Sequence, residues 1–122
     1  MTFQERAEQL AAEMTLEERA LMLCFDSPPV KRLGIPAYHW WNEGLHGVAR
    51  AGTATMFPQA IAMAAMFDAD EMEKIGGIIS TEARAKFNAS RAEGDYDIYK
   101  GLTLWSPNIN IFRDCRWGRG QE

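Results

Sequence analysis

Tyr38-His39-Trp40-Trp41-Asn42-Glu43-Gly44-Leu45-His46-Gly47 places three aromatics, two histidines, an amide and a carboxylate within ten residues. An ordinary core strand would be rich in Val and Ile and poor in polar groups. A solvated loop would hold few tryptophans. Aromatic faces beside one carboxylate suit a polyol: C–H faces of a sugar ring lie on indole, and a carboxylate accepts hydrogen bonds from neighbouring hydroxyls. The competing reading is an aromatic strand end that packs the core and carries a Glu. The stretch by itself leaves both open.

Working outward, Ala37 to about Trp41 fits a first strand, with Asn42 and Glu43 at its C-terminal end. Gly44 to Thr55 is rich in Gly, Ala and Thr and reads as loop. Pro58 is expected at the first position of a helix, where its missing N–H is tolerated. The Ala- and Met-rich run Gln59–Met66 reads as close-packed and buried. Asp68-Ala69-Asp70-Glu71 caps a further helix to about Ala92, with Met72, Ile75, Gly76, Ile79, Ala83 and Phe87 as its buried stripe. Gly76-Gly77 in that helix suggests close contact with another element. Glu93 to Lys100 is a polar loop, and Gly101 to Trp105 a second strand ended by Ser106-Pro107-Asn108. Ile109-Asn110-Ile111-Phe112 alternates apolar and polar residues.

Upstream, Phe3, Ala7, Leu10, Ala11 and Met14 recur at helical spacing. Thr15-Leu16-Glu17-Glu18 is a capping box that starts a second helix to about Leu23. Asp26-Ser27-Pro28-Pro29 is a break, Val30 to Pro36 runs extended, and Leu33-Gly34-Ile35-Pro36 turns into the first strand. Strands separated by long helical crossovers imply parallel pairing, and therefore an α/β fold. Both aromatic-polar stretches follow strands, and α/β folds bind ligands at strand C-terminal ends. That convergence favours a site.

The chain has 122 residues, 47% hydrophobic and 25% charged, enough for one modest domain. A net charge of −4 gives no footprint for nucleic acid or an anionic membrane, and no apolar run approaches a membrane span. Met1 leads directly into a helix without a signal-like apolar segment, so a cytoplasmic location is expected. Cys24 and Cys115 are expected as free thiols. The chain stops in a Gly-rich polar loop, which suggests a truncated reading frame or an excised piece.

His39, Glu43 and His46 lack the His-Glu-x-x-His spacing of a zinc helix, so no metal is expected. Cys115 has no histidine near it in sequence to act as a base. Arg116-Trp117-Gly118-Arg119-Gly120 is too short for an RNA-binding box in an acidic chain. Arg113, Arg116 and Arg119 recur every three residues. One of them is a candidate donor fork for hydroxyl oxygens, and at least two are expected to be structural.

Several motifs together have a family likeness. They are Arg32-Leu33-Gly34-Ile35-Pro36, Trp40-Trp41-Asn42-Glu43-Gly44-Leu45-His46-Gly47-Val48-Ala49-Arg50 and Phe57-Pro58-Gln59-Ala60-Ile61. Glu82-Ala83-Arg84-Ala85-Lys86 and Gly101-Leu102-Thr103 follow, then Trp105 to Asp114 and Arg116 to Glu122. In these the chain resembles the N-terminal part of glycoside hydrolase family 3, and within it the bacterial β-xylosidase-like members. The resemblance covers nearly the whole chain.

That resemblance implies the opening portion of a (β/α)₈ barrel. Such a barrel needs about 250 residues, so it would be incomplete here, with 1–36 as lead-in helices and linker and 37–122 as the first strand–helix units. It implies sugar-binding roles for Trp41, Glu43, Trp105 and Arg119. Relatives acting on glucosides usually carry Asp at the Glu43 position. Trp105 is often Tyr, and Cys115 stands where Pro is usual. The family's Lys-His pair, nucleophile and acid/base lie downstream, so the chain carries no catalytic residue. The implied activity is that of a retaining exo-β-glycosidase, in the first place a β-xylosidase acting on xylo-oligosaccharides, with no cofactor. A β-glucosidase, an α-L-arabinofuranosidase and a non-catalytic sugar-binding piece are the alternatives.

Overall fold

A computed structural model describes residues 1–108 and 113–120. The Ile109–Phe112 alternation and the last two residues of the C-terminal motif, Gln121 and Glu122, lie outside them. The elements run α1 (Phe3–Glu13), α2 (Leu16–Leu21), β1 (Asp26–Ser27), a 3-10 turn (Lys31–Leu33), β2 (Tyr38–His39), β3 (Asn42–Glu43), a second 3-10 turn (Ala49–Ala51), α3 (Ala60–Ala64), α4 (Ala69–Ala92) and β4 (Leu104–Trp105). Helices and small sheets together make an α/β fold.

The parallel pairing expected from the long crossover is present. β3 pairs with β4 in parallel, with Asn42 opposite Leu104 and Glu43 opposite Trp105. The strands are shorter than their aromatic composition suggested, because the polypeptide changes partners at Trp40-Trp41. Before that point, Tyr38–His39 pairs antiparallel with Asp26–Ser27. The Asp26–Ser27 segment, expected as a plain break, is therefore a strand. Ser27 is buried, and its hydroxyl donates to the Cys24 carbonyl (2.9 Å) and accepts from Trp40 Nε1 (2.9 Å). The run from Val30 to Pro36 is not extended. It folds into the 3-10 turn, closed by Gly34 at φ 67° and by an antiparallel bridge between Val30 and Ile35.

Two further expectations are corrected. Pro58 is not the first residue of a helix, because Phe57 donates its N–H to the His46 carbonyl (2.8 Å) and is held to the loop. Gln59 becomes the N-cap, and α3 starts at Ala60. Nor is the Ala/Met run close-packed: within it only Met63 is buried, and Ile61 is 55% exposed. On α4 the N-cap is Asp68, as read, its side chain accepting from Glu71 N at 2.9 Å. Ile75 and Ala83 are buried, Ile79 and Phe87 are half-buried, and Met72 and Gly76 are exposed. A Cβ added at Gly76 or Gly77 would meet nothing within 4 Å, so no close helix contact forms there among the described residues. An open apolar groove of about 710 Å³ runs between α3, α4 and β4, lined by Ile61, Met63, Met72, Ile75, Ile79 and Leu104 among others. The buried hydrophobic residues described are Val30, Val48, Met63, Ile75 and Ala83, a thin core. No described helix is long and apolar enough to cross a membrane.

Candidate functional site

The site is organised around a side-chain amide. Asn42 is fully buried. Its Nδ2 donates to the carbonyls of His39 (2.9 Å) and Thr103 (3.3 Å), and its Oδ1 accepts from Gly101 N (2.7 Å). Burying an amide is unfavourable unless its donors and acceptor are satisfied, and here all are. The approach is close enough to require glycine opposite: a Cβ on Gly101 would fall 2.6 Å from Asn42 Nδ2 and 2.9 Å from the Tyr38 hydroxyl. That hydroxyl accepts from Leu102 N (2.9 Å) and Thr103 N (3.0 Å). Its own proton is left for Thr103 Oγ1 at 2.9 Å. Tyr38 and Asn42 thus set the β3–β4 register, which puts Glu43 beside Trp105.

Above this ladder the Trp41 and Trp105 rings stack, with centroids 5.2 Å apart and planes 22° apart. Trp41 Nε1 lies 3.4 Å from Glu43 Oε1, a long hydrogen bond. Arg50 Nη1 lies 4.0 Å from Glu43 Oε2. Arg50 Nη2 donates to the Tyr99 hydroxyl at 3.0 Å, and the guanidinium carbon sits 4.9 Å from the Tyr99 ring centre. Tyr99 adopts φ 66° and donates its N–H to the Trp41 carbonyl (3.1 Å). A cleft of about 420 Å³ is lined by Glu43, Leu45, His46, Gly47, Ala49, Arg50, Met56, Trp105, Asn108 and Arg119. The structure therefore brings three of the four sequence-derived positions, Glu43, Trp105 and Arg119, to one cleft. Trp41 does not line it; it stacks on Trp105 instead.

The loop that forms one wall is held from below by α4. Glu82 accepts from Thr55 N (3.1 Å) and Thr55 Oγ1 (2.7 Å), and Lys86 Nζ donates to the Ala51 carbonyl (3.0 Å). These two residues lie four apart on one helix face, a spacing visible in the sequence but not read as a loop clamp. His46 Nδ1 lies 3.2 Å from the Phe57 carbonyl, so it carries the ring proton. Gly47, at φ 122°, packs where a Cβ would be 2.3 Å from the Thr55 carbonyl oxygen.

The C-terminal arginines divide. Arg116 forms a two-point pair with Asp114 (Nε 2.8 Å, Nη2 2.9 Å) and also donates its backbone N–H to it. The Arg116 side chain first, and its backbone N–H second, hold the Asp114 carboxyl down at about 2. Asp95 is likewise lowered, chiefly by Lys100. Arg116 is structural, Arg113 is exposed, and Arg119 lines the cleft. Cys24 and Cys115 are free and exposed. No group of His, Cys, Asp and Glu among the described residues is arranged to hold a metal ion. Nothing in the sequence spacing marks Arg50, Asn42 and Tyr99 as site residues, although Arg50 closes the motif that begins at Trp40.

The family model for the glycosyl hydrolase family 3 N terminal domain matches residues 5–122. The chain belongs to glycosyl hydrolase family 3. Its relatives include a probable beta-D-xylosidase 7 of Arabidopsis thaliana, 47% identical over 128 residues, covering 97% of this chain and 16% of the relative. A xylan 1,4-beta-xylosidase of Xylanibacter ruminicola is 44% identical over 124 residues, covering 100% of this chain and 14% of the relative. A probable exo-1,4-beta-xylosidase of Neosartorya fischeri is 47% identical over 128 residues, covering 96% and 16%. The family 3 chain described here thus spans only 14% to 16% of the length of these relatives. The cleft and its ladder fall within the matched segment.

Proposed function

We propose that this chain supplies part of the sugar-binding subsite of a retaining exo-β-glycosidase, and that the full-length enzyme releases xylose from β-linked xylo-oligosaccharides. The observation that carries the reading is the cleft in which Glu43 sits beside Trp105 and Arg119, at the C-terminal ends of a parallel strand pair. The β-xylosidase names of the relatives support the substrate. In this reading Trp105, backed by Trp41, offers an apolar face to the sugar ring. Glu43 accepts from ring hydroxyls, and Arg119 donates to others through a planar fork. None of these residues is the nucleophile or the acid/base. Retention uses two carboxylates about 5–5.5 Å apart and a covalent glycosyl-enzyme, and that pair belongs to the longer protein. What this chain contributes is grip and alignment of the ring.

We also infer that β3 and β4 are the first two strands of a (β/α)₈ barrel, with residues 1–36 as lead-in and 37–122 as its first units. The parallel pairing across a helical crossover supports this. So does the open apolar groove along α3 and α4, which further barrel elements would cover.

Xylose lacks the CH₂OH group that glucose carries on C5. Glu is one methylene longer than Asp, so from the same backbone position its carboxylate fills volume that this group would need. A methylene-scale difference in a pocket is worth about 1–3 kcal/mol, or roughly 10–200-fold. In the full-length enzyme, Glu43→Asp lowers kcat/KM on an aryl β-xyloside. It raises the glucoside-to-xyloside ratio by about tenfold or more. A flat ratio with both activities lowered makes Glu43 a plain binding group; unchanged activities remove it from the subsite.

A further inference from the structure

Arg50 is 62% exposed in its side chain and Glu43 is 41% exposed, and 4.0 Å separates Nη1 from Oε2. An exposed ion pair at that distance contributes little to stability. The spacing is too long for a direct N–H···O bond, yet one oxygen atom about 2.8 Å from each group fits between them. The chemistry on the two sides is opposite. A carboxylate only accepts and a guanidinium only donates, so a single atom serving both must donate one proton and accept another. A hydroxyl does this, as does the water that a hydroxyl would displace; a carbonyl, an ammonium or a second carboxylate does not.

Both groups are held in place beforehand. Arg50 Nη2 is tied to the Tyr99 hydroxyl, and the Tyr99 backbone to the Trp41 carbonyl. Glu43 touches the indole N–H of the same Trp41. The 3-10 turn that carries Arg50 is held by Lys86 at the Ala51 carbonyl. A fork whose rotamer is already restrained loses less entropy on binding.

We propose that Glu43 and Arg50 take the same sugar hydroxyl, Glu43 accepting its proton and Arg50 donating to its oxygen, so that Arg50 is a further substrate-binding residue. The proposal rests on the sugar-binding reading above and adds which residue shares which atom.

The test is a calorimetric titration of the full-length protein with the hydrolysis-resistant methyl 1-thio-β-D-xylopyranoside and its 2-, 3- and 4-deoxy analogues. Wild type, Glu43→Gln, Arg50→Gln and Tyr99→Phe are compared, with the near-ultraviolet circular dichroism of the protein as the check on folding. Arg50→Gln weakens the parent sugar by about tenfold or more. That loss vanishes for one deoxy analogue, and the effect of Glu43→Gln falls most on the same one. Tyr99→Phe gives a smaller loss without changing the order of the analogues. If Arg50→Gln weakens all three analogues alike, or if the two substitutions lose most of their effect on different analogues, the shared hydroxyl is wrong while sugar binding stands. If Arg50→Gln loses the aromatic signal, Arg50→Lys is read in its place by the same criteria. Wild type that binds none of the sugars overturns the sugar-binding reading, and this inference with it.

Discussion

Helices α1 and α2 each start on a reciprocal Thr–Glu cap and bury no residue, whereas the two-residue strands β3 and β4 bury a fully satisfied amide between them. In the helices the capping contacts at the start are local, although Arg32 also reaches Glu18 in the first turn of α2. Thr2 and Glu5 exchange bonds of 2.7 and 3.2 Å, and Thr15 and Glu18 exchange bonds of 2.9 and 3.2 Å. In the ladder the contacts join residues about sixty positions apart: Asn42 to Gly101 and Thr103, Tyr38 to Leu102 and Thr103. The starts of α1 and α2 are set by those four-residue signals. The ladder forms only if two distant segments meet in one register. The candidate site depends on the second kind of contact, because the register brings Glu43 to Trp105.

The sharpest way to break this contrast is Asn42→Leu, which keeps the number of side-chain heavy atoms, adds some bulk and removes every side-chain hydrogen bond. Gly101 N–H and the His39 and Thr103 carbonyls then lose their side-chain partner inside the structure. An unsatisfied buried group costs about 1–3 kcal/mol, so a total loss of about 3 kcal/mol or more is expected in urea unfolding, with early exchange of the Gly101 amide. Unchanged stability would mean that the two strands hold each other without the amide.

A smaller effect is expected at a helix start. Thr15→Ala removes one half of a capping box and destabilises α2 by about 1 kcal/mol. Amide exchange in α2 speeds up, while that of Gly101, Leu102 and Thr103 is unchanged. A matching change at the ladder amides would show that the N-terminal helices and the site are coupled. Arg32 is the residue to inspect in that case, since it joins Glu18 on α2 to the carbonyl of Glu13.

The smallest effect concerns the C-terminal loop. Asp114 titrates at about 2, well below its ordinary 3.8, because Arg116 stabilises the carboxylate. A depressed carboxyl contributes its stabilisation above the unfolded value and loses it as pH falls through the folded one. The Asp114–Arg116 turn therefore loosens between about pH 3.8 and 2 and is indifferent to pH above that window. By carboxyl NMR, Arg116→Gln moves the Asp114 midpoint up towards 3.8. An unmoved midpoint would assign the depression to something other than Arg116. The pair is exposed, so global stability changes little.

The capping signals were legible. Thr15-Leu16-Glu17-Glu18 reads as a box; Thr2-Phe3-Gln4-Glu5 has the same spacing and is also one, behind a more conspicuous apolar periodicity. The long α4 and the parallel pairing followed from Asp68 and from the length of the crossover. Glu43, Trp105 and Arg119 came from motifs, and they line one cleft. The pairing of Asp26–Ser27 with Tyr38–His39 was not legible, because Pro28-Pro29 beside it speaks for a break and pairing is decided by the partner. The exposure of α3 was not legible either. An Ala/Met run looks the same whether or not another element lies over it.

The sequence by itself determined where the helices start, that the chain alternates helix and strand, and which residue types gather at the strand ends. These follow from hydrogen bonds and periodicities spanning a few residues, so spacing alone carries them. Only the tertiary structure decided that Asn42 is the buried keystone of the ladder and that Gly101 must lack a Cβ. It also decided that Arg50, braced by Tyr99, stands 4.0 Å from Glu43. An amide is buried, or an arginine aimed, by partners that lie far away in the chain, and no local spacing encodes their distance.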